Sequence, residues 1–145
     1  MSLAREIKAI VETFRAGDEE SAFFTLIELP GDILPALIET FRDEQSSGIR
    51  AFLVKAAWER HEEAVLPFLS EVLHGAEEEA WQQALDGLVA FATPQSLEIL
   101  QSARSRPFAE ESANRRFQLW LDEAIEQVKR DLHAKKWFTS FPICD

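Results

Sequence analysis

Tyrosine is absent from this 145-residue chain, which holds one cysteine, one methionine, three histidines and five glycines. With Cys144 alone, no internal disulfide can form, so a disulfide-built secreted scaffold is excluded. His61, His74 and His133 fall in no His-Glu-x-x-His and no paired Cys/His spacing, which leaves a zinc site without support. The few glycines form no phosphate-cradling loop and no Gly-x-Ser-x-Gly elbow. No His lies near Cys144 in sequence, so nothing marks it as a low-pKa nucleophile. Carboxylates are abundant, but none is visibly desolvated by its sequence neighbours, as acid–base catalysis would require. No cofactor is expected. No run approaches eighteen apolar residues, and Met1-Ser2-Leu3-Ala4-Arg5-Glu6 does not open a charged and then apolar leader. The expectation is a soluble, cytoplasmic protein that does not span a membrane.

What the chain does have is acid. Its formal net charge is −11, from 26 Asp and Glu against 15 Lys and Arg. Residues 1–100 hold 19 acids and 7 bases, whereas residues 101–145 hold 7 acids and 8 bases. Such a field repels phosphate backbones and anionic lipid and favours encounter with a basic protein. It also serves solubility, with or without a partner.

The apolar residues recur at spacings of three and four, the period of a helix. Eight stripes follow one another: Ile7 to Phe14, Phe23 to Leu29, Ile33 to Phe41, Ile49 to Ala57, Val65 to Leu73, Trp81 to Val89, Leu97 to Ala103 and Phe117 to Val128. Gly17-Asp18, Pro30-Gly31-Asp32, Ser46-Ser47-Gly48, His74-Gly75 and Thr93-Pro94 punctuate them. Asp32 and Thr93 are expected to cap the third and seventh helices, with Pro94 at a first helical position where a missing N–H is harmless. Glu77-Glu78-Glu79 and Asp18-Glu19-Glu20 read as acids that complement helix N-termini.

The stripes repeat. Val11-Glu12-Thr13-Phe14-Arg15 recurs as Ile38-Glu39-Thr40-Phe41-Arg42, an offset of 27, and Ile33-Leu34-Pro35-Ala36-Leu37 recurs as Val65-Leu66-Pro67-Phe68-Leu69, an offset of 32. Ile49, Phe52, Leu53, Ala56 and Ala57 map onto Trp81, Ala84, Leu85, Leu88 and Val89, and these onto Phe117, Trp120, Leu121, Ala124 and Ile125. Helix pairs of this period cannot bury their apolar faces singly and stack on their neighbours. The expected fold is all-α: a right-handed α-α superhelix, a short α-solenoid of about four helix pairs. One domain spans 1–145, with 131–145 as a C-terminal extension.

On Leu34-Pro35-Ala36-Leu37, Leu66-Pro67-Phe68-Leu69 and Ala84-Leu85-Asp86-Gly87-Leu88-Val89, the chain resembles the HEAT-like and armadillo-like helical repeats over about residues 5–130. Arg50 matches the basic residue often found early in the second helix of such units. Gln82 replaces it one repeat later, and the customary Asp and Val before that helix are missing. The resemblance implies a non-catalytic scaffold, adaptor or inhibitor. Small bacterial members include toxin-neutralising immunity proteins, chaperone-like factors for chromophore attachment and DNA-gripping proteins.

In such stacks the second helices line a concave binding face. Removing the core positions leaves Arg50, Gln82 and Gln118 on one ladder, Val54, Asp86 and Asp122 on the next, and Trp58, Ala90 and Glu126 on the third. The expected partner-binding residues are Arg50, Val54, Trp58, Gln82, Asp86, Gln118 and Asp122. Trp58 is the natural hot spot, unless it packs on the following helix. Trp81 and Trp120 lie on core stripes and read as structural. The segment Trp137–Cys144 either folds back as a cap or stays exposed as a docking peptide. Arg104, Arg106, Arg115 and Arg116 are the only foothold for nucleic acid. The function expected is therefore protein binding, without catalysis and without a small-molecule substrate. The partner is another protein, with a basic one favoured by the charge.

Overall fold

The computed structural model describes residues 2–75, 77–106 and 110–140, the last six of these in backbone only. Among the described residues there are eight α-helices and no strand. They are α1 (Leu3–Arg15), α2 (Glu19–Ile27), α3 (Leu34–Asp43), α4 (Ser47–Glu59), α5 (Leu66–Leu73), α6 (Glu78–Phe91), α7 (Pro94–Ser102) and α8 (Glu111–Ser140). Short 3-10 turns precede α5 and follow α7. Each of the eight stripes thus becomes one helix. No described helix is long and apolar enough to cross a membrane.

The helix starts follow their sequence signals. Ser2, Asp18, Ser46 and Thr93 each accept a hydrogen bond from the backbone N–H three residues on. At α7 the cap is reciprocal: the Thr93 side chain accepts from Ser96 N–H, and Ser96 Oγ accepts from Thr93 N–H at 2.8 Å. Asp32 does not cap α3 as expected. The cap position is Ile33, which has no side chain to offer, and Asp32 Oδ1 accepts only a long 3.4 Å bond from Leu34 N–H. Pro35 and Pro67 occupy the same early position in α3 and α5. Gly17 and Gly31 take the left-handed conformation, with φ of 99° and 85°, that the turns after α1 and α2 require.

The chain divides into two compact units, Met1–Ala84 and Leu85–Asp145. In the first, α1 packs on α2 and α3 on α4, while α1 also meets α3 and α2 meets α4. The helices α1 to α4 thus pack as two adjacent pairs. Ile7, Leu26, Ile33, Leu37, Leu53, Leu66, Leu69, Leu73 and Trp81 form its buried centre. The sequence repeat has a structural counterpart here. Arg15 Nη2 pairs with Glu44 at 2.8 Å, and Arg42 Nη2 with Glu71 at 2.7 Å. Both partners of the second pair stand 27 residues after those of the first. Thr13 Oγ1 donates to the Ala9 carbonyl, and Thr40 Oγ1 to that of Ala36, at the same offset.

In the second unit α7 packs on α8, and Leu85, Leu88, Leu100, Phe117, Leu121, Ile125 and Val128 are buried. The helix α8 runs to Ser140, so residues 131–140 prolong it. Whether 131–145 caps the fold, or Trp137–Cys144 docks a partner, turns on side chains outside the described residues.

Candidate functional site: an acidic groove with an exposed tryptophan

The seven expected partner-binding residues meet different fates. Val54 is a correction: it is fully buried, at 0% exposure. Ile49, Phe52, Leu53, Ala56 and Ala57 of the same helix are buried as well, and α1, α2 and α3 all pack on it. The exposed residues of α4 are Ser47, Lys55 and Glu59, a narrow face that does not include Val54. Arg50 is committed inward. Its guanidinium lies 3.8 Å from the centroid of the Phe41 ring, donates to the Phe41 and Glu44 carbonyls and pairs with Glu77. It thereby adds a donor to carbonyls at the end of α3, where Phe41 otherwise accepts only a 3.3 Å bond from Glu44 N–H. Arg60 does the same for the residues after α2, donating to the Ile27, Leu29 and Gly31 carbonyls.

Trp58 is partly buried, and its Nε1, closed off from solvent, has no hydrogen-bond partner among the described residues. Gln82 is partly buried on α6. Gln118 donates to the Arg104 carbonyl at 3.1 Å, and Arg104 Nη1 pairs with Asp122 at 2.7 Å.

Asp86 and Asp122 do converge. With Glu126, also named on the ladders, they line an open groove of about 600 Å³ in the second unit. The C-terminal half of α6 supplies Leu85, Asp86 and Val89, and α8 supplies the rest, from Trp120 to Arg130. Ala124, Leu85 and Val89 give it an apolar floor; Asp86, Asp122, Glu123 and Glu126 place four carboxylates on its lining beside Arg130, and Arg104 and Lys129 reach Asp122 and Glu126 from outside it.

Trp120 overturns its expected core role, with 43% of its surface exposed beside Leu119 at 65%. The sequence held a weak signal for this. At 100° per residue, Trp120 stands about 80° from the centre of the stripe formed by Phe117, Leu121, Ala124, Ile125 and Val128. It is an edge residue of that stripe, and the edge faces solvent. Glu123, Gln127 and Arg130 were likewise missed, because a stripe names what is buried and not which exposed neighbours share a concavity. Trp81, in contrast, is 1% exposed, as its stripe requires.

Compared with known proteins, the chain matches no family model, no curated protein and no solved structure.

The remaining candidates have local structural roles. His74 closes α5, and its Nδ1 lies 2.8 Å from the Ser70 carbonyl. His61 is exposed in a left-handed turn, with φ of 59°, where α4 ends. His133 is exposed on α8, and Cys144 lies outside the described residues. Among the described residues, no group of three or more His, Cys, Asp or Glu side chains is placed to hold a metal ion. Of the four arginines that could have met nucleic acid, Arg104 pairs with Asp122 and Arg115 with Glu111. Arg106 is buried with its guanidinium 5.0 Å from the Phe117 ring centroid, and that burial lowers its pKa.

Proposed function

We propose that this chain is a non-catalytic protein-binding module, a short solenoid of HEAT-like helix pairs, and that it engages its partner through the groove between α6 and α8 of the second unit. The observation that carries the reading is the exposed Trp120 on the lining of that groove. A large aromatic held rigidly on a helix, half in solvent beside Leu119, is what an interface uses as its anchor. The recurring ion pairs of the first unit, and its two stacked helix pairs, support the solenoid part.

The test places a photo-crosslinking residue at Leu119 and, as a control, at Lys8 in α1. A protein captured from position 119 alone, whose purified form binds Trp120→Ala at least tenfold more weakly at unchanged melting temperature, supports the reading. Equal capture at both positions, or unchanged affinity of Trp120→Ala, rejects the groove as the site.

A further inference from the structure

We infer that the occupant of this groove is a basic peptide segment of the partner, with an arginine or lysine seated on the Trp120 indole. The inference rests on the docking role just proposed and adds the chemistry of what docks.

Charge placement is the first argument. Residues 101–145 are close to neutral as a whole, with 7 acids and 8 bases, yet Asp122, Glu123 and Glu126 all turn to one concavity. Asp86 joins them from α6. A segment entering there meets four carboxylates within one concavity, and the ion pairs that Arg104 and Lys129 make to two of them are half exposed. An anionic strand would be repelled by them. Among the described residues these carboxylates form no group placed to hold a metal ion.

The second argument is the neighbourhood of the aromatic. A guanidinium over an indole face gains cation–π attraction, and more when water is excluded. With carboxylates beside the ring, a single arginine can stack and pair at once, and its planar fork suits both. The cations in and beside the groove are engaged elsewhere. Arg104 pairs with Asp122, Lys129 reaches Glu126 only at 3.9 Å, and Arg130 Nη2 donates to Gln127 Oε1. The Arg104 and Lys129 pairs are half exposed or more on both sides. Exposed pairs of this kind are worth little, so a ligand cation can exchange for them readily.

Dimensions set the size of the segment. From Trp120 to Arg130 the groove follows α8 for about 15 Å, room for about ten helical residues or four to five extended ones. Arg130 stands at the far end and disfavours a cation there, so the basic residues belong at the Trp120 end.

The experiment titrates the full chain with a synthetic twelve-residue peptide carrying arginine at every third or fourth position, and with its citrulline counterpart, which keeps the shape without the charge. Affinity is read by calorimetry, and the site by the Trp120 indole N–H resonance. The arginine peptide should bind and shift that resonance, and raising salt from 50 to 300 mM should weaken it about tenfold. Trp120→Ala should weaken it about tenfold and Trp120→Phe less. Asp86→Asn or Glu123→Gln should weaken it several-fold, and Glu98→Gln, the same change on α7 outside the groove, should not. If citrulline peptide binds equally well and still depends on Trp120, the groove docks an apolar segment: the basic occupant is wrong and the docking role survives. If neither peptide moves the Trp120 resonance, the docking role fails with it. If Glu98→Gln weakens binding as much as Glu123→Gln, the attraction is diffuse and the inference is overturned.

Discussion

Arginine is the residue on which the first unit most depends. Arg50 joins three elements at once: it stacks on Phe41, donates to two carbonyls at the end of α3 and pairs with Glu77 ahead of α6. Its removal takes the arginine donor from the Glu44 carbonyl, leaves the Phe41 carbonyl only the long Glu44 N–H bond, and uncovers the Phe41 ring. Arg50→Ala should lower stability by about 2–3 kcal/mol in chemical denaturation. Arg50→Lys should recover less than half of that, because an ammonium cannot make a forked set of bonds and stack as well. A loss below 0.5 kcal/mol would show that the stapling is not energetically used. The sequence placed Arg50 on α4, and the packing shows the carbonyls and the carboxylate it meets there. Its periodicity gives the direction of a side chain, but not which carbonyls a neighbouring helix ends with.

Glu44 is the matching case for acid. Burial alone would raise its pKa, but the Ser46 and Gln45 N–H groups and the Arg15 guanidinium outweigh that and hold it below the ordinary carboxylate value. A carboxylate with a lowered folded-state pKa adds stability that is complete above its unfolded pKa. That stability is lost as pH falls through the folded value. Glu44→Gln should therefore be less stable than the parent at pH 7, by about 1 kcal/mol. The gap should close as pH falls below the ordinary carboxylate range and through the lowered folded-state value, where the parent protonates. A gap that stays constant over that range in thermal melts would exclude the charged hydrogen bonds as its source.

Among the elements, α7 is short and carries the most complete cap. The Thr93–Ser96 exchange satisfies one N–H at each end of the first turn. Thr93→Ala should cost about 1 kcal/mol, and Thr93→Ser almost nothing, in urea denaturation. This element was legible from Thr93-Pro94 alone, since cap chemistry is local. The helix α4 was legible as a helix, but its burial was not. A stripe marks the face that must be buried, and only the packing of α1, α2 and α3 around it shows that Val54 is covered too. Trp120 errs in the other direction. It stands at the edge of its stripe, where helix period alone does not decide between core and solvent.

Over the whole molecule, charge is the dominant unsatisfied term. A net charge of −11 on 145 residues repels itself in the compact state. Raising sodium chloride from about 20 to 200 mM should raise the melting temperature by a few degrees, through screening. A fall would mean that ion pairs such as Arg15–Glu44 and Arg42–Glu71 outweigh the net repulsion.

By itself the sequence determined that the described residues are helical, where their eight helices lie, and which residues cap several of them. These follow from period, caps and turn chemistry, which act over a few residues. Only the tertiary structure decided that Arg50 and Arg60 close neighbouring helix ends, that Val54 is core, and that Asp86, Trp120, Asp122 and Glu126 share one groove. The physical reason is that burial and concavity belong to pairs of helices far apart in sequence. A single helix's pattern can require a partner without saying where that partner's edge will fall.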